Sequence, residues 1–399
     1  MIKRVLLTII LILLISTMVI AQHNIEVKMF DKLFNTPDEK LDTFFNESFL
    51  RQIPANKVIE ILNNYKHSLG QLEEVNKNGG MYTLIFTKGT APAKIVLNSE
   101  EKITGLWFGK MNLNRDTTEE ILSKFIEVEG TVSICVMKNN HEVLMAHNEE
   151  KKLAVGSSFK LYVLKAAYDA VANDEISWND VVRLNQVDKS LPTGILQDWK
   201  EGTPLTIKTL TSLMMYLSDN TATDKMINLL GREDIEDYVT EVNIPFLKTS
   251  EMFKLKYAVD SATQEEYTKT DNKQKRVILE NIKNVPLKVS MLKNNPTLIK
   301  EFEWFFSTKE LCNVIYDLRE ADELKLNSGL ATEKDWHMVG YKGGSEAGVL
   351  QYTHILQKKE DDDIFTVSIT VNNQDQKLNT NEITNLTSRL ITLIKNGNI

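Results

Sequence analysis

Two hydrophobic periods alternate along this chain and divide it into blocks of helix and blocks of strand. Val58, Ile61, Leu62 and Tyr65 recur at helical spacing and predict an amphipathic helix; Asp38–Leu50 reads as another before it. Three strand-like runs follow, Met81–Phe86, Ala93–Leu97 and Ile103–Phe108. Gly89 and Pro92 read as a break within the first pair, and Asn98–Lys102 as a turn within the second. Helices followed by an antiparallel meander predict a small α+β unit over residues 26–110. Met111–Arg115 reads as a linker, and Asp116 with Glu119 as a capped helix start carrying Ile121, Leu122, Phe125 and Ile126 on its apolar face.

Beyond that start, Thr131–Lys138 and Glu142–His147 form a hairpin around Asn139-Asn140. From Ser157 to about Asn313 the pattern is mostly helical. Trp336–Tyr341, Val349–Gln357 and Phe365–Asn372 return to strand, with the acidic stretch Glu360–Asp363 as a solvated turn. Ile383, Leu386, Leu390 and Leu393 mark a closing amphipathic helix. Strands at both ends of residues 116–399 with helices between them predict one antiparallel sheet, a helical lobe and a cleft where they meet. The fold class is α+β.

At 399 residues and 42% apolar content the chain can bury two cores. Met1–Ala21 stands apart: Lys3 and Arg4 lead into the apolar run Val5–Ile20, and small residues precede Gln22. The run is short of the about 20 residues a span needs, so it reads as a cleaved signal peptide, with an uncleaved anchor as the alternative. That predicts a secreted or periplasmic protein with no stable membrane span after cleavage. With no cysteine after Ala21 until Cys135, a lipid anchor has no support. The net charge of −8, or −10 without Lys3 and Arg4, argues against a nucleic-acid partner, which needs a basic face. Cys135 and Cys312 fall in strand and helix patterns and are expected as buried free thiols, a single bridge being the other arrangement. The six histidines form no cluster with ligand spacing, so neither a metal nor another cofactor is expected.

Three short motifs carry the chemistry. Ser157-Ser158-Phe159-Lys160 opens a helix that is apolar on nearly every side, so Lys160 shares a face with Ser157 in a dry setting that disfavours its charged form. A helix N-terminus also favours developing negative charge. About sixty residues on, Ser218-Asp219-Asn220 joins two helices. Lys342-Gly343-Gly344-Ser345 continues a late strand, and paired glycines there suit a close approach of another backbone or a ligand. Each piece has a plain reading by itself: a serine that caps a helix, a lysine that snorkels outward, a turn, a glycine bulge. All three in this order read as a nucleophile, its base, a proton relay and an oxyanion strand.

These residues resemble the S-x-x-K, S-D-N and K-T-G motifs of active-site serine β-lactamases and penicillin-binding proteins. Ile195-Leu196-Gln197-Asp198, Gly202-Thr203-Pro204-Leu205-Thr206 and Ser218 to Asp224 are similar to the class A helical lobe, in order. The resemblance runs from about Glu119 to the C-terminus. It implies a β-lactamase-like domain over 116–399 and a small-molecule β-lactam or peptidoglycan-derived substrate. It also implies Ser157 as acylated nucleophile, Lys160 as its base, Ser218 as relay and Asn220, Lys342, Gly344 and Ser345 as substrate contacts. The N-terminal unit resembles the cone-shaped NTF2-like domains and is expected to be accessory. Two departures bear on turnover. The Glu-x-x-x-Asn pattern that supplies a deacylating base in that family is missing. Glu251, in Pro245–Leu255, stands near its place as a displaced base or as a helix-start carboxylate. Gly343 stands where the family has a hydroxyl. A β-lactamase, an esterase or D-Ala peptidase on the same site, and a non-turnover cell-wall sensor all remain open.

Overall fold

The computed structural model describes residues 25–78, 81–113 and 117–399, so the leader read from the sequence lies outside the described residues. The chain divides into two compact units between Arg115 and Asp116. Among the described residues no helix is long and apolar enough to cross a membrane.

The first unit is helices followed by an antiparallel sheet. Asn46 caps Glu47–Gln52 and splits the single helix expected over 38–50 into that piece and a 3-10 segment, Asp38–Phe44. On Ala55–Leu69 the residues Val58, Leu62, Tyr65 and Leu69 are buried, whereas Ile61 is exposed because it falls off their stripe. Leu72–Asn78, Met81–Phe86, Gly89–Leu97 and Ile103–Phe108 pair in sequence order. Gly89 and Pro92 do not break a strand pair; both lie inside Gly89–Leu97. Pro92 sits where one neighbouring strand has ended at Ala93–Phe108 and the next, Asn112–Leu113, pairs only from Thr90, so its missing N–H costs no ladder bond there. Two of the residues read as a linker therefore belong to the sheet.

In the second unit the helix Thr118–Ile126 starts one residue later than expected, on a capping box of Thr117 and Glu120. Its Ile121 and Phe125 pack with Ile383, Leu386 and Leu390 of Thr380–Asn396 on one face of a five-stranded antiparallel sheet. The strand order is Met338–Glu346, Val349–Gln357, Ile364–Asn372, Thr131–Lys138, Glu142–His147. Segments from opposite ends of the unit thus meet at its centre, where Ile369 pairs with Ile134. Val349–Gln357 and Ile364–Asn372 are buried on nearly every residue, as strands covered on both faces are. The expected strand Trp336–Tyr341 is Met338–Glu346, an edge strand that carries Lys342 to Ser345 within its ladder. Cys135 and Cys312 are free and buried against each other, with the Cys312 thiol 3.5 Å from the Cys135 carbonyl. The helical lobe has its own core around Phe159, Leu164, Leu210, Met226, Phe246 and Phe302.

Candidate active site

The serine motif is held by the backbone on one side and an aromatic stack on the other. Leu153–Ala154 pairs with Phe305–Phe306, the Val155 N–H donates to the Trp304 carbonyl at 3.0 Å, and the Phe159 ring stacks on Trp304 at 3.6 Å. Gly156–Phe159 is a 3-10 turn that runs into the helix Lys160–Ala172. The two serines separate here. Ser158 is buried and bonds the Gln351 side chain, while Ser157 is half-buried and faces the cleft.

The glycines of the edge strand are explained by contact, not by a bulge: pairing runs from Met338–Gln357 to Glu346–Val349 without a slip. A Cβ on Gly344 would fall 2.1 Å from the Val155 carbonyl oxygen and 2.5 Å from the Ser157 nitrogen. Gly156 has φ 50°, and a Cβ there would fall 3.1 Å from the Ser345 nitrogen. Two backbones therefore pass with no room for a side chain, and this brings the Ser157 and Ser345 nitrogens to the same rim of the cleft.

Lys160 is fully buried. Its Nζ lies 2.6 Å from the Ser218 carbonyl oxygen, 2.8 Å from Asn220 Oδ1 and 3.0 Å from Ser218 Oγ. Asn220 Nδ2 donates to the Leu191 carbonyl, which turns Oδ1 toward the lysine. Burial, and then the nearby charge of Lys342, hold the Lys160 amine well below its ordinary range. A neutral amine has two protons and one lone pair. In that form the two carbonyl-type acceptors would take the protons and leave the lone pair for a hydroxyl. Ser218 has φ 53°, an uncommon conformation for a residue with a side chain. Its carbonyl is fixed there by Lys160 and by Thr193 Oγ1 at 2.9 Å. Asp219 braces the turn by accepting from the Ile195, Leu196 and Ala222 N–H groups. Lys342 Nζ approaches the other side of Ser218 Oγ at 3.1 Å, and desolvation lowers it to about 7.

Ser157, Lys160, Ser218, Asn220, Lys342, Gly344 and Ser345 thus converge. The cleft has two arms that share Ser157, Thr193 and Ser345. One runs past Ser218, Lys342 and Tyr341; the other past Met252, Phe253, Tyr257 and Glu346.

Glu251 is not brought to either arm. Its Oε2 accepts the Lys248 N–H and its Oε1 binds Arg232 at 2.7 Å, so it closes a capping box and pairs a largely buried guanidinium around a separate cavity. As a displaced base it is corrected to a helix-start carboxylate. Asp224 also holds the start of that helix, accepting from the Thr249 and Ser250 N–H groups. Glu251→Gln is expected to cost roughly 2 kcal/mol of stability by weakening the Arg232 pair, read as a lower melting temperature, and to leave the deacylation rate unchanged. A trapped acyl-enzyme in that variant would contradict the assignment.

Sequence reasoning missed the wall opposite the relay. Lys256 is buried between Glu303 and Glu346, 2.7 Å from each, and Tyr257 donates to Glu346 at 2.8 Å. Burial pushes Glu303 up to about 8. Only the position of Glu346, next to Ser345, hinted at it.

Residues 115–282 match the model of the β-lactamase enzyme family. Among solved structures the chain is similar to a β-lactamase from Sphaerobacter thermophilus, with 19% identity over 71% of this chain and 98% of that one and a TM-score of 0.49. A β-lactamase from Francisella tularensis gives 16% identity over 71% and 99%, TM-score 0.48. PBP-A gives 12% identity over 70% and 96%, TM-score 0.47. No curated protein sequence matches the chain.

Proposed function

We propose that the Asp116–Ile399 unit, a member of the serine β-lactamase-like family, is a serine hydrolase of the β-lactamase and penicillin-binding protein type that is acylated at Ser157. The observation that carries this reading is the Lys160 amine: buried, held below its usual range, and ringed by Ser218 and Asn220. Ser157 Oγ attacks the carbonyl carbon while Lys160 Nζ takes its proton. The Ser157 and Ser345 N–H groups receive the oxyanion. The proton then passes through Ser218 Oγ to the leaving nitrogen or oxygen, the old bond to carbon breaks, and an acyl ester remains on Ser157. Water hydrolyses that ester and restores the serine.

We read the substrate as a β-lactam amide and the protein as exported, from the Lys3-Arg4 leader with its apolar run. The N-terminal unit, NTF2-like in its order of elements, is proposed as an accessory module. A second reading, an esterase or D-Ala peptidase whose β-lactam adduct turns over slowly, is favoured by the position of Glu251 away from Ser157. Both predict acylation faster than deacylation. Stopped-flow with a chromogenic cephalosporin should give a burst of one equivalent and then slow turnover. Intact mass with penicillins, cephalosporins and a fluorophosphonate should show one added acyl or phosphonyl group per chain. Rapid turnover without a burst would restore the plain β-lactamase; no adduct with any reagent would refute the acyl-enzyme.

The pH profile should carry the mark of Lys342. Protonated, it attracts an anionic substrate; above about 7 the free site loses that charge. The kcat/KM for a carboxylate-bearing substrate is therefore expected to fall as pH rises through 7, while that of its neutral methyl ester does not. Parallel profiles for the acid and the ester would remove Lys342 from substrate recognition.

A further inference from the structure

We propose that Lys256, Glu303 and Glu346 form a positioning cluster for the reaction at Ser157, tying the strand that carries the Ser345 N–H to the segment that cradles the serine motif. The cluster's role rests on the acyl-enzyme reading, since the oxyanion of that reaction is what it serves. Glu346 ends the edge strand and directly follows Ser345. Glu303 directly precedes Trp304, whose carbonyl accepts the Val155 N–H and whose ring stacks on Phe159. Each carboxyl thus sits one residue from a group that fixes one side of the oxyanion rim. Lys256 Nζ bridges them from the last turn of Thr249–Tyr257, 2.7 Å from Glu303 Oε1 and 2.7 Å from Glu346 Oε2. Tyr257 Oη donates to Glu346 Oε1 at 2.8 Å. The edge strand needs such a hold. Gly343 and Gly344 give it no side chain to pack where it passes the serine turn, and Ser345 is exposed, so Glu346 is the first side chain beyond Lys342 that is tied to the wall. Glu346 also lines the cleft arm that Ser157 and Ser345 share.

Two carboxyls and one ammonium in a buried wall leave one carboxyl without a counter-charge. Glu303 Oε2 is buried and receives no hydrogen bond from the described residues. A proton on Glu303 resolves both: one positive charge meets one negative, and the carboxyl O–H becomes a donor to Glu346. Burial raises Glu303 to about 8, with the hydrogen bond to Glu346 adding to it. Glu346, against its own burial, is lowered by that hydrogen bond and by Lys256. The titratable groups that face Glu303 are Lys256 and Tyr257 from the helix and Glu346 from the strand, while Lys293, on the same arm, is exposed.

When Glu303 ionises, two carboxylates meet across one ammonium, and their repulsion drives the end of the edge strand away from the Trp304 segment. The Ser345 N–H then leaves the place where it receives the oxyanion. Acylation therefore falls as pH rises through about 8, opposite to the rise that deprotonation of the Lys160 base gives.

The full chain is tested with a neutral alkyl fluorophosphonate, which carries no carboxylate for Lys342 to attract. Intact mass gives the rate of adduct formation across pH. In the parent that rate is expected to fall about tenfold from about pH 7 to about pH 9, the span of a single ionisation near 8. Glu303→Gln keeps a donor for Glu346 and an acceptor for Lys256 but cannot ionise, so its fall over that span should stay under about twofold. Glu346→Gln removes the repulsion from the other side and should flatten the profile likewise, which decides the matter where Glu303→Gln folds poorly. In Glu346→Ala, where Lys256 keeps Glu303, the limiting rate should drop about tenfold or more and the half-saturating reagent concentration should hold within about twofold, because the N–H acts on charge that develops in the reaction. A merely structural cluster would move the melting temperature and neither of these readings. A flat parent profile, a decline shared by both glutamine variants, or an unchanged limiting rate in Glu346→Ala overturns the proposal. A parent that forms no adduct at any pH overturns the acyl-enzyme reading, and the cluster's role falls with it.

Discussion

Ser157→Ala is expected to abolish the covalent adduct with every β-lactam and with a fluorophosphonate, because the bond that forms is to its Oγ. The loss should exceed about ten-thousandfold in acylation rate, the scale seen when a nucleophile is removed from a unit that acts together. Two serines stand side by side in the motif, which makes the neighbour the natural control. Ser158 is buried and bonded to Gln351, so Ser158→Ala should lower stability by roughly 1–3 kcal/mol and still form the adduct. Ser157→Ala, altering a half-buried side chain at the cleft, should melt close to the parent. Intact mass and thermal melts of the two variants, side by side, decide the matter. An adduct that survives in Ser157→Ala, or disappears only in Ser158→Ala, would move the nucleophile.

Much of this arrangement was legible in the sequence because it is local. Ser157 and Lys160 sit one turn apart, and Ser218 to Asn220 are contiguous, so spacing alone put each on a turn or helix end. The strands Val349–Gln357 and Ile364–Asn372 were legible because β-branched, aromatic and other apolar residues recur in them on either side of the acidic turn Glu360–Asp363. Leu72–Asn78 was missed because Glu73, Glu74, Asn76 and Lys77 make it polar; it is a strand only by pairing with Met81–Phe86. Edge strands are often written this way. Glu251 could not be assigned from sequence since its partner, Arg232, lies nineteen residues upstream on another helix. Lys256 and Glu303 are 47 residues apart and meet only in the folded wall. The space beside Gly343 is a third case: a Cβ there would fall 1.9 Å from Tyr341 Oη, a contact that spacing alone does not show.

Lys160 is where burial and chemistry bear on each other most directly. A fully buried ammonium with no carboxylate bonded to it would be costly. The structure supplies hydroxyl, amide and carbonyl oxygens, which suit a neutral amine. Burial lowers the Lys160 amine well below its ordinary range, the direction a base working near pH 7 needs. Lys160→Ala is therefore expected to slow acylation by at least about a hundredfold, the usual contribution of a positioned base. It also leaves Asn220 Oδ1 without its donor and the Ser218 carbonyl with Thr193 Oγ1 alone, so a modest loss of stability should accompany it. Lys160→Arg separates the two roles. A guanidinium keeps a donor and a positive charge but stays protonated at any accessible pH, so it cannot accept the Ser157 proton. If the lysine is the base, arginine should fail as badly as alanine, measured by the rate of adduct formation in rapid-quench mass spectrometry. If arginine restores more than a tenth of the parent rate, the lysine acts through its charge or hydrogen bonds alone, and Ser218 becomes the group that takes the proton.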